Sequence, residues 1–209
     1  MMKKYITRFL LLTSLVIALA ACDGGESAQE DEGGVAIGGD QAATTEKKVP
    51  EFEFTTQDNE TLSNEDLEGT WWIADFIFTN CETVCIPMTN NMVKLQEKVN
   101  EENIDNVEFV SFSVDPDYDT PEVLTEYAED YGADLSNWNF LTGYDFETIE
   151  DISMNGFKNM LAAPPEGDNQ VVHGAYFFLV NPEGEILSPY SGMESEQMDA
   201  IVEDLKKMQ

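Results

Sequence analysis

The run Trp71-Trp72-Ile73-Ala74-Asp75-Phe76-Ile77-Phe78-Thr79 is almost wholly apolar. A half-exposed strand alternates apolar with polar residues, so an unbroken run predicts a strand buried on both faces. Cys81 and Cys85 follow at once, and then Pro87, Met88, Met92, Leu95 and Val99 recur at helical spacing. Proline is tolerated in a first turn, so the helix starts close behind the cysteines. A buried strand that ends in a dithiol loop and leaves as a helix puts two sulfurs at the tip of a sheet. Helix-terminal N–H groups at that place favour thiolates. The pair is therefore a redox couple or a metal clamp.

The rest of the chain supplies the sheet and its cover. Phe52 and Phe54 alternate with polar residues, Asp58-Asn59 offers a turn, and Thr61-Leu62 resumes, which predicts an N-terminal β-hairpin. Val107 to Val114 is a second buried strand, and Thr120-Pro121-Glu122 opens a helix that runs to Tyr131 with Thr120 as its cap. Trp138 to Leu141 is a short strand and Phe146 to Phe157 a helix. Val171 to Val180 reads as one strand, Asn181 to Gly184 as a turn, Glu185 to Tyr190 as the returning strand, and Glu194 to Met208 as a closing amphipathic helix. This order predicts an α/β fold with a central mixed β-sheet flanked by helices. Trp71, Trp72, Met88 and Met92 fall on its core positions. Core packing, more than a metal-carrying surface, is thus the reading of the methionines.

The N-terminus is of another kind. Lys3, Lys4 and Arg8 precede an apolar stretch, Phe9 to Ala21, too short for an ordinary membrane span. It ends Leu19-Ala20-Ala21-Cys22, which looks like a bacterial lipobox and implies cleavage before Cys22 with lipid on its sulfur. An ordinary signal peptide with a chance cysteine at the cleavage point is the alternative. The chain then divides into a lipoprotein signal peptide (1–21), an acidic flexible tether (22–48) and a folded domain (49–209). The formal net charge is −32, and Arg8, the sole arginine, leaves with the signal. Such a chain repels nucleic acid and anionic lipid alike, so lipid on Cys22 must hold it to the cell membrane on the extracytoplasmic face. Dithiols tend to oxidise there, and a working one needs an extracytoplasmic thiol reductant. The acidic side chains are spread over the whole domain, which favours a solvated surface over a docking site for a basic partner.

Several motifs occur in order from Phe52 to the C-terminus. Phe76-Ile77-Phe78-Thr79, the Cys-x-x-x-Cys of Cys81 and Cys85, and Met88-Thr89 resemble the Sco/SenC family of copper-handling proteins. So do Ser113-Val114-Asp115-Pro116, Asp119-Thr120-Pro121-Glu122 and Val172-His173. The resemblance implies a thioredoxin-like fold and a copper site made by Cys81, Cys85 and His173 that accepts copper(I) and copper(II). It also implies a task in assembling the copper A centre of cytochrome c oxidase subunit II, by delivering copper, by reducing that subunit's cysteines, or both. Two departures stand out: Ile86 intervenes before Pro87, and Gly174-Ala175 follow the histidine where Asp or Gln next to Ser is usual.

The chemistry agrees. Thiolates suit copper(I) and imidazole suits copper(II), so two sulfurs and one imidazole can hold either state. Zinc in a closed site wants four protein ligands, and a carboxylate would have to join. His173 is the only histidine; alone it reads as a packed structural residue, and the resemblance makes it a ligand. Asp115 reads either as a supporting or partner-contact residue or as part of an Asp-Pro turn. Two other functions compete. An extracytoplasmic thiol–disulfide oxidoreductase would use Cys81 and Cys85 as a redox pair able to close into a disulfide. A peroxidase of the same superfamily needs an arginine the mature chain lacks, and Thr79 stands one residue too close to Cys81 for that motif.

Overall fold

The computed structural model describes residues 48–209. Cys22, the segment 1–21 and all but the last residue of the tether lie outside the described residues. The elements are β1 (Glu53–Thr56), β2 (Thr61–Ser63), β3 (Trp71–Ile77), α1 (Cys85–Glu101), β4 (Val107–Ser113), α2 (Pro121–Tyr131) and β5 (Trp138–Thr142). There follow α3 (Phe146–Asp151), a π-helical turn (Ile152–Phe157), β6 (Leu161–Ala162), β7 (Val172–His173), β8 (Tyr176–Val180), β9 (Ile186–Ser191) and α4 (Glu196–Met208).

Seven strands form one mixed sheet in the order β2-β1-β5-β4-β3-β8-β9. β3, β4 and β5 are parallel, whereas β1 joins β5, β8 joins β3, and β9 joins β8 antiparallel. β1 and β2 make the expected hairpin. β3 and β4 pair along their full length, Trp71 opposite Val107 and Ile77 opposite Ser113, so their carboxyl ends lie side by side. The dithiol loop leaves one of those ends and the Asp115–Asp119 turn leaves the other. In open α/β sheets this is the edge where ligands are taken up.

Side chains of β3 alternate between two covered faces. Phe76 stacks on Phe112 with ring centroids 5.4 Å apart, and Phe157 meets Phe76 and Phe178 edge-on at 5.2 Å from each. α1 covers the opposite side with Met88, Met92, Leu95 and Val99, all buried, and α4 packs beside it through Met198, Ile201 and Leu205. Met88 and Met92 are core residues, and Trp72 is 1% exposed; Trp71 is only half-buried, at the outer end of the strand.

Two elements depart from the sequence expectation. The helix expected through Phe157 is α-helical only to Asp151 and then widens into the π turn, which ends at Lys158 in the left-handed region. The single strand expected over Val171–Val180 is broken at Gly174-Ala175. β7 pairs with β6, with Leu161 opposite His173, and Gly174 N–H donates to the Met160 carbonyl at 2.8 Å. Only glycine fits at the break: a Cβ on residue 174 would lie 2.0 Å from Oδ1 of the buried Asn159. The break lifts His173 out of the main sheet and over the cysteine loop.

Candidate metal centre

Strand β3 delivers the dithiol and the β6–β7 pair delivers the histidine. Sγ of Cys81, Sγ of Cys85 and a ring nitrogen of His173 all lie within 4.8 Å of one another, and all three residues are buried. The cysteines are free thiols. His173 Nε2 is 3.5 Å from Cys85 Sγ, and its Nδ1 is 3.1 Å from the Gly174 carbonyl. A carbonyl oxygen only accepts, so Nδ1 carries the proton and Nε2 turns its lone pair toward the sulfurs. Phe78 closes one side, its ring edge-on to the imidazole at 5.8 Å.

Helix α1 begins at Cys85, two residues before the proline that marks it in the sequence. It has no side-chain cap and no acidic residue in its first turn. The Cys85 N–H instead donates to Cys81 Sγ at 3.4 Å, so a sulfur takes the place of the usual capping oxygen. Cys81 is held well below the ordinary thiol range, chiefly by a hydrogen bond from the Cys85 thiol. Burial works against this, while the Thr83 and Cys85 N–H groups assist. Cys85 is pushed in the opposite direction by the Cys81 thiolate and then by burial. The pair shares one proton, with Cys81 the more acidic of the two sulfurs and Cys85 the more deeply buried.

Three further residues hold this arrangement. Asp119 is buried and takes the Thr79 hydroxyl at 2.5 Å and the Ser113 hydroxyl at 2.6 Å, tying the ends of β3 and β4 together two residues before Cys81. Burial raises its carboxyl above the usual range. Gln170 accepts the Glu82 N–H at 3.2 Å and donates to the Asn80 carbonyl at 3.1 Å, gripping both flanks of Cys81 from the segment that leads into His173. Asp75, wholly buried in β3, receives the Ser111 hydroxyl at 2.6 Å, and Ser111 receives the Trp138 indole N–H at 2.9 Å. Its charge acts on Cys85, adding to the upward push on that thiol.

Asp115 sits in the turn after β4. Its carbonyl accepts from Tyr118 and Asp119 N–H, its own N–H donates to Ser113 Oγ, and it is Asp119 whose carboxylate reaches the cysteine-bearing segment. Gln170 had no signal in the sequence beyond lying three residues before the histidine. Asp75 had one, a charge inside an apolar run.

Comparison with known proteins bears directly on this cluster. A profile of the SCO1/SenC family matches residues 40–209. The chain belongs to that family. The SCO1 protein homolog of Bacillus subtilis is 46% identical over 159 residues, spanning 76% of this chain and 81% of its own. A SCO1/SenC family lipoprotein from Bacillus anthracis superposes with a TM-score of 0.73 at 44% identity, covering 77% of this chain and 94% of its own. BsSco, described as a member of the Sco family of cytochrome c oxidase assembly proteins with a disulfide switch, gives 0.70 at 46% identity, covering 77% and 92%. Bradyrhizobium japonicum ScoI, solved with copper bound, gives 0.63 at 24% identity over 77% and 98%, which shows a shared thioredoxin-like fold.

The donor set suits a soft ion. Two sulfurs and one imidazole nitrogen face one point, and among the described residues no carboxylate joins them. This is a poor closed site for zinc and a good low-coordinate site for copper.

Proposed function

We propose that this protein is a membrane-tethered, copper-binding factor that serves assembly of the copper A centre in subunit II of cytochrome c oxidase. The observation that carries the proposal is the buried cluster of Cys81, Cys85 and His173, all within 4.8 Å, in a member of the SCO1/SenC family. Cys81 arrives as a thiolate, Cys85 gives up its proton on binding, and the Nδ1–H···O bond to Gly174 keeps Nε2 available. Copper(I) is held chiefly by sulfur, and copper(II) draws more on the imidazole. Lipid on Cys22 anchors the chain at the extracytoplasmic face of the cell membrane.

A second reading is supported by the unequal thiols. Cys81 attacks a disulfide in the partner subunit, and one partner sulfur leaves as thiolate. Cys85 then attacks the mixed disulfide, so the partner gains two electrons and this chain closes a Cys81–Cys85 disulfide. An extracytoplasmic thiol reductant restores it.

The test is copper titration of the reduced protein with stoichiometry, absorption and electron spin resonance recorded together. One copper per chain and a sulfur-to-copper(II) charge-transfer band are expected, with His173→Ala weakening copper(II) more than copper(I). An unchanged spectrum and affinity in His173→Ala would remove the histidine from the site. In cells, loss of Cys81, Cys85 or His173 should lower cytochrome c oxidase activity about equally and spare quinol oxidases that lack copper A. A His173→Ala defect far milder than the cysteine defects would favour reduction alone, because thiol exchange needs no imidazole. Cys22→Ser should release the chain from the membrane, and lipid-labelled, membrane-bound protein in that variant would overturn the anchor.

A further inference from the structure

The methionines that the core does not absorb are not scattered at random. Met160 is 57% exposed and Met193 is 43% exposed, and both line one groove of about 460 Å³ whose floor includes Gly174 and Ala175. That floor is the chain directly after His173. Met160 is fixed beside it by the Gly174 N–H···O=C bond of 2.8 Å, and the residue before Met193 is fixed by the Gly192 N–H bond to the Ala175 carbonyl at 2.9 Å. Two methionines thus line one groove together with the strand break that follows His173.

The other exposed methionines differ. Met154 Sδ is already engaged, accepting the Leu161 N–H at 3.3 Å. Met208 ends α4, where Lys206 pairs with Glu102 just past the far end of α1. A helix of 17 residues puts that end about 25 Å from Cys85. Leucine would cover the same surface, but a thioether carries a chemistry that leucine lacks. It is a soft, uncharged donor that selects copper(I) over copper(II) and zinc.

We propose that Met160 and Met193 form a weak copper(I) entry site at the rim of the groove, from which the ion passes inward to Cys81, Cys85 and His173. Both are unbranched, exposed side chains on the lining of one groove, and thioethers release a soft ion readily to thiolates. Lys158 also lines the groove, and its exposed, flexible stem lets the ammonium turn away to water. Binding here involves no electron transfer and no proton release. The inference rests on the copper reading above.

The experiment uses the full chain in detergent, with Cys22, Cys81 and Cys85 all replaced by Ser and the methionine methyls labelled with carbon-13. Silver(I), and copper(I) under anaerobic conditions, should shift the Met160 and Met193 methyl signals, leaving Met88, Met92 and Met208 in place. Zinc should shift none. Equal movement at Met208, or no movement at Met160 and Met193, overturns the entry site. With the cysteines intact, Met160→Leu/Met193→Leu should slow copper(I) loading about tenfold, the low end of what losing outer contacts costs a metal site, with final stoichiometry unchanged. An unaltered loading rate overturns the proposal while leaving the buried site standing. Failure of the unsubstituted chain to load copper(I) at all would instead overturn the copper reading itself.

Discussion

Because Gln170 touches the chain on both sides of Cys81, it couples the histidine-bearing segment to the dithiol loop through one amide. Gln170→Ala should lower copper affinity about tenfold, as loss of an outer hydrogen bond to a metal site does. Gln170→Glu keeps the acceptor for Glu82 N–H but loses the donor to Asn80, so it should fall between; a thermal midpoint unchanged in both variants separates positioning from unfolding. If affinity in Gln170→Ala matches the parent, the coupling is idle. Asp75 makes a different prediction. Burial raises its carboxyl to about 7, with the Ser111 hydroxyl opposing. The folded chain therefore holds a proton that the unfolded chain has released above about pH 4. Its contribution to stability is complete below that pH and is lost as pH rises through 7. Asp75→Asn should flatten the profile over this window and raise stability at pH 8 by on the order of a few kcal/mol, read by urea unfolding across pH. A parent-like slope in the variant would assign the pH dependence elsewhere, with Asp119 the next group to replace.

Elements were legible where a local signal and a tertiary demand agreed. Thr120-Pro121 starts α2 as its hydroxyl and ring dictate, with Thr120 accepting the Val123 N–H, and the two strands read as buried, β3 and β4, lie at the centre of the sheet. The break between β7 and β8 was not legible, because β7 pairs with β6 instead of joining the main sheet and the residue that requires glycine at 174 is Asn159, fifteen residues upstream and without any periodic signal. Both polar atoms of the Asn159 amide are buried without a hydrogen-bond partner. The side chain is 2% exposed and enclosed by the fold, so the room it takes comes from residue 174. Gly174→Ala should therefore cost about 1–3 kcal/mol from overpacking. It should also weaken the sulfur-to-copper(II) band by displacing His173. A second replacement, Asn159→Ala, should restore the band in the double variant. If the band survives Gly174→Ala alone, the crowding does not set the histidine's place. The start of α1 was legible, since Pro87 falls in the first turn as its ring allows, while the acceptor that the Cys85 N–H finds there, the Cys81 sulfur, was not.

At the scale of the whole molecule the sequence announced its charge plainly, and the structure shows how little of it is paired. Among the described residues the ion pairs are Lys98–Asp199, Lys206–Glu102 and the two contacts of Lys207 with Glu203 and Asp204, and all are solvent-exposed. Exposed pairs contribute about 0–1 kcal/mol each, far too little to offset mutual repulsion in a chain of net charge −32. Lys98–Asp199 and Lys206–Glu102 do clip α1 to α4 at the end remote from the metal cluster, so salt has two opposed effects. It weakens these clips and screens the surplus acid. Raising ionic strength from about 0.01 M to about 1 M shrinks the Debye length from about 30 Å to 3 Å, which removes most of the long-range repulsion. The repulsion is the larger sum, so the urea midpoint should rise with sodium chloride at a constant denaturant slope. Lys98→Met should leave that rise nearly intact and lower the midpoint slightly at low salt. A midpoint that falls as salt is added would mean that the clips between α1 and α4, and not the acidic surface, dominate the electrostatics of the fold.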